Sequence, residues 1–432
     1  MKMTSLSTDQ APPIGVPLRF FAVAPVFLVL AAVLLAMGDA NPFVDTHSPA
    51  MLAATHCITL GFMAMIMLGA IQQLLPVVIG SPMPASQMVA WLTFLPLMAG
   101  TLLLSGGFML GQPYLLNLSW PLLGLAFLVF IAASLTSLAR ATAKNATKTA
   151  ILLSVLSLTL AATLGMLLAR GYAVGLPLHY IELSTAHISL ALGGWVMMLA
   201  VGVSYQVIPM FQLTPNYPKW LADYLAPAIF IVLLLNLALL LSDPVPDWAK
   251  YLMESFFWLL SGCFAVVTLT LQNRRRRRVP DPSLSFFRLG MCSLLLAALF
   301  SLASLLLPDS HALFRTLSIL SFLLGFAMSI IQGMLYKVIP FLVWFHLFRG
   351  GPKATQVGVP NMKEIISETW MWRHLWLHGG TLLSALLSFR WGAAAWVAMA
   401  GLLLQGLLLS YSIFGGISVY RRTLVRIEQA SE

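Results

Sequence analysis

The sequence predicts an all-α polytopic membrane protein of about twelve transmembrane helices in three pseudo-equivalent four-helix units. Three observations carry this. Of 432 residues, 59% are hydrophobic and 9% charged. Long apolar runs follow one another along the chain. One glycine–proline pattern recurs three times at nearly constant spacing.

The composition sets the class. A soluble domain carries roughly 25% charged residues, so a chain this poor in charge must turn most of its surface to lipid. The three cysteines, Cys57, Cys263 and Cys292, stand alone in apolar stretches, which excludes a disulfide framework and a paired-cysteine metal site. The net charge of +10 would suit nucleic acid, but its distribution points to membrane topology instead.

Apolar spans are expected near 19–37, 50–79, 87–107, 114–139, 148–170, 181–211, 220–242, 250–273, 283–307, 311–346, 371–390 and 393–418. Each exceeds the roughly 17 apolar residues that cross hydrocarbon, and the longest must tilt, kink or protrude. Residues 1–17 are polar and lack a cleavable signal pattern. With the N-terminus in the cytoplasm, nineteen of the 24 Lys and Arg residues fall inside, among them Lys2, Lys148, Arg274 to Arg278, Lys353 and Arg426. Asp39, Asp45, Asp243, Asp247 and Asp309 gather on the other side. The positive-inside rule then places both termini in the cytoplasm of a multi-pass protein of the cell (inner) membrane. The arginine run is a topology anchor, and no nucleic-acid partner is expected.

The repeat defines the organisation. Gly61, Gly69 and Pro76 share their spacing with Gly194, Gly202 and Pro209 and with Gly325, Gly333 and Pro340. An aromatic follows each first glycine (Phe62, Trp195, Phe326), and Gln73, Gln206 or Lys337 lies three residues before each proline. Glycine lets helix backbones approach closely where lipid supplies no hydrophobic drive, and proline frees a carbonyl and kinks the helix. The expectation is a single transmembrane domain over 1–432. Its repeat units span about 19–140, 148–273 and 283–418, and its tails are short and cytoplasmic.

Histidines keep the same register. His47, His179 and His311 precede the first glycines by 14, 15 and 14 residues; His56 and His187 lie deeper, and Ser318 stands where a third deep histidine would align. An imidazole inside a membrane is costly and marks function by default, and it is the commonest ligand for metals and heme. A hydrogen-bonded structural histidine is the competing reading for His56 and His187. A solvated interfacial residue is the competing reading for His47, His179 and His311. Glu182 shares a helix face with His179, where it would orient the imidazole, relay protons or merely satisfy an interface. Arg315 suits an acidic group such as a heme propionate, or snorkels.

Lys337 reads as a snorkelling inner-end residue whose alignment with two glutamines leaves proton entry open. Met63, Met65, Met67, Met197 and Met198 read as packing. His346 reads as a solvated helix end. His374 and His378 share a helix face, but WMWRHLWLH reads as an aromatic belt.

Twelve helices, three four-helix units and histidines on helices two, six and ten make the chain similar to the catalytic subunit of heme-copper oxidases and nitric oxide reductases. NnrS-like proteins, polytopic and linked to heme, copper and nitric oxide stress, are a similar comparison. The resemblance implies an axial heme ligand at His56 in THCITLGF and a non-heme metal ligand at His187 in TAHISLALGGW, with His311 as the partner from helix ten. It further implies a heme of b type near Arg315. A second metal, copper or non-heme iron, would be drawn from His187, His179, Glu182 and His47. The helix-seven histidine pair of that family is absent, because no histidine lies between His187 and His311. The full three-histidine copper site therefore cannot form in the family manner.

The expected function is that of an oxidase-like heme-binding protein in nitric oxide or respiratory redox metabolism, not a conventional oxygen reductase. Its electrons would come from quinol in the bilayer or from an external carrier. The rivals are a cofactor-free transporter or permease, and an assembly or metal-handling factor for an oxidase.

Overall fold

The computed structural model describes residues 11–38, 41–242, 246–276, 278–349 and 352–430. Of the charges used for orientation, Lys2, Asp39, Asp243 and Arg277 lie outside these residues, as do the side chains of Asp247 and Lys353.

The chain is an all-α membrane protein. Among the described residues, eleven helices are long and apolar enough to cross a membrane: α1 (Gly15–Ala36), α2 (Pro49–Ile79), α3 (Ser86–Met109), α4 (Pro113–Arg140), α5 (Ala146–Val174), α6 (Tyr180–Gln212), α7 (Lys219–Leu240), α8 (Trp248–Asn273), α9 (Pro282–Leu306), α10 (Pro308–Phe348) and, at the C-terminal end, Ala393–Gln429. The expected span at 371–390 forms a 20-residue helix, α11 (Glu368–Leu387). It carries Glu368, Arg373, His374 and His378 and falls short of the others in apolar character. The C-terminal helix, α12, runs eleven residues past the expected end at 418, because the polar segment after the membrane span keeps helical residues and meets no breaker.

Local chemistry sets the boundaries. Ser48 accepts from the Met51 amide at the start of α2 and is followed by Pro49, whose missing N–H costs nothing in the first turn. Asn145 caps α5 through the Lys148 amide, and Gly175 ends it in the left-handed region at φ 69°. The repeat prolines Pro76, Pro209 and Pro340 all lie inside continuous helices.

The three long helices share an unforeseen feature. Each contains a π-helical stretch: Cys57–Ala64 in α2, Ser189–Met197 in α6 and Ser321–Ala327 in α10. Each stretch encloses the first glycine of its repeat, and such stretches are rare and concentrate at functional places.

The chain packs as two compact units. One comprises Ala70–Val279 and Arg288–Met328. Within it α3 lies against α4, α4 against α5, α5 against α6 and α7, and α7 against α8. Gly100 and Gly107 seat Leu123 and Leu116 across the α3–α4 contact. The other unit comprises Pro13–Gly69, Pro280–Phe287 and Ser329–Glu432. There α1 lies between the first part of α2 and α12, and α11 packs on α12.

The repeat glycines mark helix contacts of one kind. A Cβ on Gly69 would fall 2.8 Å from the Phe20 Cβ in α1, one on Gly202 2.6 Å from the Ala150 Cβ in α5, and one on Gly333 2.7 Å from the Phe286 Cβ in α9. In each copy the second glycine therefore receives the helix that immediately precedes the long one. Gly61 meets Phe27 of α1, and Gly194 meets Ser157 of α5. The five methionines weighed above are buried packing residues.

Candidate functional site

The sequence-predicted residues sit at the N-terminal ends of the long helices. His47 is exposed, its amide donating to Asp45 Oδ1 at 2.9 Å and its Nδ1 3.2 Å from Thr46 Oγ1. His179 is exposed just before α6, and Glu182 is half-buried in its first turn. Arg315 is exposed on α10. Three imidazoles are half-buried, and each is pinned through Nδ1 to a backbone carbonyl. His56 bonds to Leu52 O at 2.7 Å, His187 to Ala161 O of α5 at 2.9 Å, and His311 to Ser304 O of α9 at 2.9 Å. A carbonyl only accepts, so Nδ1 carries the proton and Nε2 the lone pair. The His187 ring rests on Gly165, where a Cβ would lie 2.8 Å from its Cε1.

The third copy clarifies the role of that ring. Ser318, aligned with His187, is buried and donates to Ala297 O of α9 at 2.8 Å, just as His187 reaches Ala161 of α5. Both side chains tie the long helix to the first helix of its own repeat; histidine alone leaves a basic nitrogen over. Among the described residues, no three His, Cys, Asp or Glu side chains gather as a metal site. His187, His179, Glu182 and His47 thus form no ready-made metal centre.

Three expectations need correction. His374 and His378 are not part of an aromatic belt: their exposures are 0% and 1%. The tryptophans and Arg373 suggest a boundary, and Trp376 is indeed 76% exposed, but the histidines occupy the opposite, inward face. Lys337 does not simply snorkel. Its Nζ lies 2.7 Å from Asp281 Oδ2, and Asp281 also accepts from the Ser283 amide at 2.9 Å at the start of α9. His346 is half-buried, with Nδ1 bonded to Leu342 O, rather than solvated.

Around His374 and His378 lies a buried polar core. One stripe of α10 supplies Ser329, Gln332 and Tyr336; one stripe of α11 supplies His374, His378 and Thr381; α12 supplies Gln405 and Ser412. His374 Nδ1 lies 2.7 Å from Tyr336 Oη. His378 Nδ1 lies 2.8 Å from Gln405 Oε1, and its Nε2 lies 2.8 Å from Ser329 Oγ. Gln332 Nε2 donates to Gln405 Oε1 at 3.0 Å, and Gln405 Nε2 donates to Thr381 Oγ1 at 2.9 Å. Phe286 of α9 flanks both imidazoles, with ring centroids 5.5 and 5.8 Å away. Spacings of three, four and seven residues put each set on one helix face. That much is visible in the sequence; the covering partners are not.

This fold and these buried polar groups define a multi-pass α-helical membrane protein. Searched against protein-family models and against curated proteins, the chain matches none.

Proposed function

We propose that the chain is an oxidase-like, heme-binding membrane protein of nitric oxide or respiratory redox metabolism, not a conventional oxygen reductase. One observation carries the reading. In the first two repeats an imidazole sits one or two residues before the π-helical stretch, its Nδ1–H held by a carbonyl so that Nε2 is the unprotonated nitrogen. That is the state in which histidine ligates iron.

The donor set fits single axial ligation by His187 or His56, and His311 has the same protonation pattern. Arg315, exposed near His311 on α10, suits a propionate. A b-type heme, when bound, supplies a redox-active iron. The chain's own part is to hold each imidazole in one tautomer, with Gly165 making room for the His187 ring. A copper or non-heme iron centre of three or more protein ligands does not fit the described residues, and no step is assigned to one. Electrons would come from bilayer quinol or an external carrier, and both termini would face the cytoplasm.

Heme content and the optical spectrum of protein purified from a heme-replete host test the proposal. A Soret band that shifts or disappears in His56→Ala or His187→Ala is expected. Heme-free wild type, or spectra unchanged in both variants, would refute it.

A cofactor-free transporter is the second reading. It is favoured by the buried polar core on α10, α11 and α12, since intramembrane ionisable groups commonly line substrate or ion paths.

A further inference from the structure

Membrane topology needs positive charge at the end of α8, but it does not need that charge held in place. Here it is held. The Arg276 amide donates to Leu213 O, just after α6, at 3.0 Å, and the Arg275 guanidinium donates to Val279 O at 2.9 Å, closing the turn that leads to α9. The carbonyls of Thr270, Leu271 and Gln272 in the last turn of α8 already accept from the Arg274 and Arg275 amides. No guanidinium is needed there as a helix cap.

Arg288 joins this surface from α9. Its backbone lies about 9 Å along that helix from Pro282, at 1.5 Å per residue. Yet its Nη2 donates at 2.8 Å to Oδ1 of Asn273, the final residue of α8 and the neighbour of Arg274. The side chain therefore runs back toward the helix ends, as a long cationic chain does to leave hydrocarbon. The 26 residues of α8 that suit a membrane cover about 39 Å against about 30 Å of hydrocarbon, which puts Asn273 at headgroup depth.

The protein supplies this charge with no counter-ion. Among the described residues, Arg288 Nε is buried without an acceptor, and no ion pair engages Arg274, Arg275, Arg276, Arg278 or Arg288. Asp281, at the start of α9, is held by Lys337 at 2.7 Å. Asp223, near the start of α7, pairs with none of the five. A half-buried cation bonded only to a neutral amide calls for an anion from outside. At headgroup depth the anion at hand is a lipid phosphate, whose oxygens the guanidinium fork matches.

We propose that the joined ends of α8 and α9 bind the headgroup of an anionic phospholipid. Arg288 is the anchored contact for the phosphate, and the exposed Arg274, Arg276 and Arg278 supply the surrounding positive field. A zwitterionic lipid carries the same phosphate, but its ammonium group is repelled by that field, so the site selects net negative charge. The inference stands independently of heme.

The test is lipid binding to the full-length protein in detergent, measured by native mass spectrometry with phosphatidylglycerol and phosphatidylcholine as probes. Phosphatidylglycerol should bind about tenfold more tightly, since each nearby basic residue is worth about fivefold at an anionic surface. Arg288→Gln should cut that preference severalfold. Arg140→Gln, which removes the same charge from the exposed end of α4, should leave it unchanged. If Arg288→Gln does not fold, Asn273→Ala, which frees the guanidinium but keeps its charge, should weaken the preference instead. Equal affinity for the two lipids, or equal losses in Arg288→Gln and Arg140→Gln, would overturn the proposal. So would displacement of phosphatidylglycerol by millimolar inorganic phosphate, which marks a site for a soluble anion.

Discussion

Replacing the second glycine of each repeat by alanine should weaken the fold in three places for one reason. At Gly69, Gly202 and Gly333 the new methyl would lie 2.8, 2.6 and 2.7 Å from the Cβ of Phe20, Ala150 and Phe286. A Cβ is fixed to its backbone, so no rotamer change relieves the clash and the helices must part by nearly an ångström. Overpacking of this size costs about 1–3 kcal/mol. Alanine returns up to about 1 kcal/mol of helix propensity, which leaves a net loss near 1–2 kcal/mol per site. Gly379→Ala is the internal control, because nothing lies within 4 Å of a Cβ there, and it should be neutral or slightly stabilising. Thermal unfolding of the purified protein in detergent, followed by circular dichroism, measures all four. The three repeat variants should melt below the wild type and Gly379→Ala at or above it. If all four melt together, the glycines are not close helix contacts and the packing account of the repeat is wrong.

Other perturbations separate the remaining interactions. Gly165→Ala pushes a methyl to 2.8 Å from His187 Cε1; it should break the bond to Ala161 and cost about 1–3 kcal/mol in unfolding measurements. In the heme reading it should also move the Soret band. Asp281→Ala removes the start of α9 as well as the ion pair to Lys337, and should lower stability by about 1–2 kcal/mol. Lys337→Met removes only the partly exposed ion pair and should cost less than about 1 kcal/mol; equal losses in the two variants would discount the capping role. A cysteine introduced at residue 247 should react with impermeant reagents from outside the cell, and reaction only from the cytoplasm would reverse the proposed orientation.

The helices were legible because a lipid-facing segment needs length and apolarity, and both are written locally. Elements such as α5, expected over 148–170 and found at Ala146–Val174, differ only at their ends, where caps such as Asn145 decide. The glycine register was legible too, since close approach admits no larger residue at Gly202. The core around His374 was not. WMWRHLWLH shows an i, i+4 pair, but what covers it arrives from far away in sequence, with Tyr336 38 residues before His374 and Gln405 27 residues after His378. The exposed Trp376 dominates the local pattern, so inward and outward faces cannot be told apart without α10 and α12. Lys337 misled for the same reason: its partner Asp281 lies 56 residues away.

The π-helical stretches change what spacing means along α2, α6 and α10. A π turn closes on the fifth residue instead of the fourth, so a stretch of seven to nine residues holds about one residue more than an α-helix spanning the same turns. The phase of everything after it therefore slips by about one residue, roughly 100° at 3.6 residues per turn. Side chains such as His56 and Gln73, on opposite sides of the stretch, do not share the face that α spacing assigns them. Each stretch is also a local store of slack: deleting one residue inside it can be absorbed by reversion to α-helix, with both helix ends keeping their register. The same deletion in the purely α-helical α5 would rotate every later contact onto the wrong face.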